Sequence, residues 1–170
     1  MTDPKVVHST FVVERSFPKR IETVFGALSK PEKVRQWFAA GDGHELLEFD
    51  LKFAEGGTQH FVYRMKGGTP VAGVVIENDA TFLEIVPNDR IVMATAMKFG
   101  GKRILTSQIT FELLPSGTGK TLPGTEPASA RINTSSVRIV FRSWKDWRKA
   151  VIVMILFRQS SRLTNSQVHK

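Results

Sequence analysis

Residues 58–66 read TQHFVYRMK, and their alternation decides the fold class. A strand sends successive side chains to opposite faces, so Phe61, Tyr63 and Met65 share one face while His60, Val62 and Arg64 share the other. Turn chemistry bounds the run on both sides, with Glu55-Gly56-Gly57 before it and Gly67-Gly68-Thr69-Pro70 after it. Further strand-like runs flank it: Glu45 to Phe53 upstream, then Val71 to Ile76, Thr81 to Val86, Ile91 to Met97 and Ile104 to Leu114. Asn78-Asp79 reads as a bulge or turn, Pro87-Asn88-Asp89 as a turn, and Gly100-Gly101 as a tight hairpin. Runs in such succession, without intervening helices, predict an antiparallel meander rather than alternating βαβ units.

Upstream of the meander, His8 to Phe17 predicts a first strand ending at Pro18. Ile21, Val24, Phe25 and Leu28 then fall at the i, i+3, i+4, i+7 spacing of one helical face. Pro31 suits the first position of a second short helix, which presents Val34, Trp37 and Phe38. The expectation is one compact α+β domain, secure over residues 8–115.

The stretches ERSFPKRIETVFGALSKPEKVRQWF, EFDLKFAEGG, GVVIENDATFLEIVPNDRIVMA and TFELLPSGTG, in this order, resemble the SRPBCC, or START-like, superfamily. The branch they resemble is named after the activator of heat-shock protein 90 ATPase. The resemblance covers about residues 8–119. It implies a helix-grip fold: a curved antiparallel sheet, two short helices after strand 1, and a long C-terminal helix over an apolar cavity. Length and composition imply a single domain over residues 1–170, with residues 120–142 irregular apart from a short strand-like run, Val137 to Phe141, and 143–163 as an atypical C-terminal helix. In place of the Gly-Trp pair and leucines expected of that helix stands WKDWRKAVIVMILF.

Charge changes at the same place. Residues 1–119 hold 14 Lys+Arg and 14 Asp+Glu, whereas residues 120–170 hold 10 and 2, so the whole excess of +8 lies at the C-terminal end. A divergent C-terminus and a changed reading frame both fit this shift. The basic residues there, among them Arg131, Arg138, Lys145 and Arg158 interleaved with Trp144 and Trp147, are the one feature suited to nucleic acid or an anionic membrane. A solvated helix face is the commoner use of such a pattern, and neither partner is expected.

The chain has no cysteine, which removes thiol nucleophiles and disulfides and fits a reducing compartment. Met1 to Val7 lacks the basic-then-apolar design of a secretory signal, and the longest apolar run, Ala150 to Phe157, is too short to span a bilayer. A cytoplasmic location is the expectation. His8, His44, His60 and His169 have no metal-ligand spacing, and no Gly-x-Ser-x-Gly elbow occurs, so no metal, no cofactor and no catalytic residue is assigned. Glu48 and Asp50 share a face at i, i+2, which suits an acid/base pair but more often marks a solvated sheet face.

The ligand-cavity candidates are Trp37, Phe38, Phe61, Tyr63, Met65, Met93 and Met97: aromatic area at a pocket mouth and flexible thioethers on the concave side. Ordinary core packing accounts for the same residues, and Trp37 and Phe38 equally suit a staple of helix to sheet. The function expected is a non-catalytic domain binding a small hydrophobic or amphipathic molecule. The alternatives are an interaction protein of the chaperone-activating kind, whose partner is a chaperone, and a cyclase or hydrolase built on the same cavity.

Overall fold

The computed structural model describes residues 5–17, 19–39, 43–115 and 128–141. In chain order they form β1 (Lys5–Phe17), α1 (Ile21–Ser29), α2 (Pro31–Ala39), β2 (His44–Leu51), β3 (Thr58–Met65), β4 (Val75–Val86), β5 (Arg90–Phe99), β6 (Lys102–Pro115) and β7 (Ala128–Phe141). The strands make one antiparallel sheet in the order β1-β7-β6-β5-β4-β3-β2. The meander from β2 to β6 follows chain order. The return strand β7 lies between β6 and β1.

Both helices form where the apolar spacing places them. Val24 of α1 packs with Leu113 of β6, and Ile21, Phe25, Leu28 and Phe17 gather round that pair. Pro31 opens α2, and the α1–α2 junction is continuous in hydrogen bonding: Lys30 N–H donates to Gly26 O, while Val34 N–H donates to Lys30 O. The core divides into two larger groups on the inward face of the sheet. Tyr63, Met65, Val71, Ile76 and Met97 make one; Ala80, Phe82, Ile91, Met93 and Ile109 make the other.

The turns between the strands are architectural. Gly100 and Gly101 both have positive φ, 56° and 76°, as the primed turn between Phe99 and Lys102 requires. The Glu55-Gly56-Gly57 turn folds onto β4, where Gly56 N–H donates to Phe82 O and Phe82 N–H donates to Gly57 O. Glu55 Oε1 accepts the Ile85 amide at 2.9 Å, just past the bulge between Phe82 and Glu84. Glu84 grips Arg90 with two bonds, at 2.8 and 3.1 Å, across the turn made by Pro87, Asn88 and Asp89. Leu47 and Leu83, both exposed, are the extra residues of the β2 and β4 bulges, which is why two leucines face outward.

Two expectations need correction. Asn78-Asp79 is neither turn nor bulge: β4 runs unbroken through it, and Val71 sits in the preceding turn rather than in the strand. Each of the two polar residues has a cross-strand partner, so the strand tolerates both. Asp79 faces outward to His60, and Asn78 faces inward to Tyr63. Likewise residues 128–141 of the supposedly irregular segment 120–142 form the long strand β7, of which only Val137 to Phe141 was expected. Three β7 residues span two on each neighbour around Ser135 and Ser136. This bulge breaks the two-residue period and hides the strand from a pattern search. The helix expected at residues 143–163, and the basic side chains it would carry, lie outside the described residues.

Candidate functional site

The inward face of the sheet is the candidate site. Register and alternation put Gln59, Phe61, Tyr63 and Met65 of β3 on it, followed by Ile76, Asn78, Ala80 and Phe82 of β4. Ile91, Met93, Thr95 and Met97 of β5 and Leu105, Ser107, Ile109, Phe111 and Leu113 of β6 complete the set. None of these seventeen side chains is charged.

At the β2–β3 end, aromatic rings close round Phe38 of α2. Its ring centroid lies 4.8 Å from Phe61 and 5.5 Å from Tyr63, and Phe61 stacks on Phe49 at 4.5 Å. His44 Nε2–H donates to Phe38 O at 2.8 Å, since a carbonyl can only accept. Burial holds its imidazole below the ordinary histidine range, against the raising effect of that carbonyl. The ring is therefore a neutral donor tying the start of β2 to the end of α2.

Of the seven cavity candidates, Phe38, Tyr63, Met65 and Met97 meet in one group, and Phe61 joins them through Phe38. Met93 belongs to the second group, two rows along the sheet. Trp37 does something else: its Nε1–H donates to Ala27 O at 2.8 Å, fastening α2 to α1. The helix-to-sheet staple describes Phe38, which packs on Phe61 and Tyr63, whereas Trp37 fastens helix to helix.

Between the two apolar groups runs a band of hydroxyls and amide that the sequence reading did not single out. Asn78 Nδ2 donates to Tyr63 Oη at 3.2 Å. Burial pushes the Tyr63 phenol up to about 12, with the Asn78 bond opposing, so it keeps its proton at any physiological pH. One row along, Thr95 Oγ1 and Ser107 Oγ lie 2.8 Å apart, and Thr95 Oγ1 also approaches Ser107 O at 3.4 Å. The signal that could have revealed the band is the presence of Asn, Thr and Ser in phase with Phe, Met and Ile on three consecutive strands. It becomes visible only once register is known.

The outward face carries the charges. His60 Nδ1 lies 2.7 Å from Asp79 Oδ1 and its Nε2 3.6 Å from Glu48 Oε2. The Asp79 hydrogen bond raises the imidazole above its ordinary value. Lys98 bonds Glu77 at 2.6 Å and Arg64 approaches Glu45 at 3.6 Å. Glu48 and Asp50 are exposed here, so the face they share is the solvated one. Among the described residues no cluster of three or more His, Asp or Glu side chains is arranged to hold a metal ion. No helix among them is long and apolar enough to cross a membrane.

Comparison with solved structures supports the architecture. A protein of Rhizobium leguminosarum is 31% identical, with 88% of this chain and 90% of that one covered at a TM-score of 0.67. The Mll3558 protein of Rhizobium loti is 28% identical, with 94% and 99% covered at 0.69. Norcoclaurine synthase of Thalictrum, solved with a transition-state analogue, shares the fold at 10% identity, 81% and 79% coverage and a TM-score of 0.53. No curated protein matches. The family described as Activator of Hsp90 ATPase homolog 1-like protein matches residues 19–131, which takes in both helices, the whole meander and the start of β7. By a match across about two thirds of its length, this chain belongs to the Activator of Hsp90 ATPase homolog 1-like family.

Proposed function

We propose that the chain is a non-catalytic binding domain, working in the cytoplasm, that holds a small hydrophobic or amphipathic molecule between the inward face of the sheet and a C-terminal helix formed by residues 143–163. The observation that carries this reading is the uncharged inward face, where Phe61, Phe82 and three methionines line a surface of four adjacent strands. Methionine side chains adapt to irregular ligands without polar cost, and aromatic rings supply area. A ligand burying about 300 Å² of apolar surface at about 25 cal/mol per Å² gains about 7 kcal/mol before the costs of association, which sets an upper limit near ten micromolar affinity.

Titration of the full chain with the neutral fluorophore N-phenyl-1-naphthylamine tests this. Saturable fluorescence enhancement with one site per chain, reduced by Met97→Trp filling the face, is the expected result; a linear, unsaturable response would count against a cavity. The family match favours one other reading, a chaperone ATPase activator that works through its surface. Stimulated ATP turnover by a purified heat-shock protein 90, undiminished by Met97→Trp, would favour that reading over the cavity. The norcoclaurine synthase likeness supports the fold and says nothing of an enzymatic step.

A further inference from the structure

We infer that the band formed by Tyr63, Asn78, Thr95 and Ser107 is a recognition site for the hydroxyl of an uncharged ligand, an alcohol or a phenol, whose hydrocarbon body lies on the apolar groups either side. The inference rests on the binding role proposed above and adds the chemistry of the ligand.

The argument begins with the cost of the band. Tyr63 and Ser107 are 5% and 8% exposed, so their polar atoms have left water. A buried hydroxyl without a partner is costly, and two buried groups, Tyr63 and Ser107, with the half-buried Asn78 and Thr95 beside them, are an expensive alternative to Phe, Leu and Val in the middle of a hydrophobic face. Pairing satisfies them only in part. Tyr63 Oη accepts from Asn78, which leaves its own proton without an acceptor among the described residues. Turning the amide over only moves the surplus, since Asn78 would then accept from Tyr63 and keep both of its N–H groups unspent. On the other pair, one 2.8 Å contact joins two hydroxyls, and the second bond available to Thr95 is a long one at 3.4 Å. Lone pairs on Ser107 Oγ remain open.

The two pairs are neighbours. Asn78 stands opposite Met97 and Ala80 opposite Thr95, so Asn78 and Thr95 are diagonal across the β4–β5 ladder, at about the 7 Å separation usual for such positions. A single ligand oxygen between them can accept from the Tyr63 side and donate to the Ser107 side. That is the bonding capacity of one hydroxyl. A carboxylate has no proton to give, and none of the seventeen inward positions of β3 to β6 carries a charge to serve as its counter-ion. An ammonium group meets the same obstacle. A pure hydrocarbon leaves the band unpaired.

Displacement of N-phenyl-1-naphthylamine from the full chain by naphthalene, 2-naphthol and 2-naphthoate separates the possibilities, because the three share one ring system. The expected result is that 2-naphthol competes about tenfold better than naphthalene, as two hydrogen bonds in a desolvated site would give, and that 2-naphthoate competes worst. Tyr63→Phe and Thr95→Val, which keep side-chain shape and strand propensity, should each remove most of the 2-naphthol advantage while leaving naphthalene affinity unchanged. Equal competition by naphthalene and 2-naphthol overturns the inference and leaves the binding reading standing, as does tightest competition by 2-naphthoate. Failure of the fluorophore itself to bind overturns both. The comparison of the three ligands on the unaltered chain decides the matter even where a substituted chain folds poorly.

Discussion

The glycines of the β2–β3 turn offer a prediction that runs against the usual expectation for glycine. Gly56 has a φ of +71°, the left-handed region, yet a Cβ built there meets nothing within 4 Å. Gly57 has no such φ, yet a Cβ there would lie 2.2 Å from Lys52 O and 2.8 Å from Ala54 O, both backbone atoms that cannot swing aside. Gly56→Ala should therefore cost only the left-handed penalty, about 1 kcal/mol. Gly57→Ala must push the turn outward by about an ångström, which stretches the Lys52–Thr58 backbone bond and the two bonds that Phe82 makes to the turn. Overpacking strain of about 1–3 kcal/mol, with one or two backbone bonds weakened at about 1 kcal/mol each, gives a loss of about 3 kcal/mol for Gly57→Ala. For a domain of this size that is a fall in Tm of about 6–12 °C, against about 2–4 °C for Gly56→Ala. Urea unfolding followed by circular dichroism measures both. Equal losses, or a larger loss at Gly56, would refute the claim that the turn is fixed by its close approach to its own backbone and to β4.

Three more outcomes follow from the packing and the ionisable groups. Met97→Ala should lower stability by about 2–5 kcal/mol, because the side chain is 4% exposed within its group, whereas Met97→Leu should cost less than about 1.5 kcal/mol; urea denaturation distinguishes them. Glu55→Ala should cost about 1 kcal/mol by removing the acceptor of the Ile85 amide, and faster hydrogen exchange at Ile85 is its specific signature. The two central histidines should show opposite pH windows in the folded chain, read by proton NMR of their imidazoles. His60, raised by Asp79, titrates above 6.5; its contribution is complete below that value and is lost as pH rises through the folded pKa. His44, lowered by burial, titrates below 6.5; its contribution is complete above that value and is lost as pH falls through the folded pKa. Asp79→Asn should return His60 toward the ordinary range and leave His44 where it is.

Much of the fold was legible because local signals agreed with the tertiary arrangement. The α1 face, Pro31 at the head of α2, the alternation of β3 and the Gly100-Gly101 hairpin each announce themselves within a few residues. Two segments were not legible, for one shared reason: their identity as strands comes from neighbours distant in the chain. Asn78-Asp79 looks like a turn in isolation and is held as strand by Tyr63 and His60 on β3. Ala128–Phe141 loses its apolar period at Ser135-Ser136, but backbone pairing on both sides, to β1 and β6, does not depend on that period. The candidate site suffers likewise. Phe38, Phe61, Tyr63 and Met97 could be nominated from type and spacing, whereas Thr95 and Ser107 acquire meaning only when β5 and β6 are placed in register.

This difference separates what identifies the chain from what it does. The turn residues Glu55, Gly56, Gly57, Glu84 and Arg90 are occupied with backbone amides and with each other. They fix the curvature and order of β2 to β5, and their side chains are spent there. Tyr63, Asn78, Thr95 and Ser107 instead bond one another across strands on the inward face and hold no turn in place. It is the inward set, with its hydrogen-bonding capacity facing an apolar interior, on which the proposed ligand recognition rests.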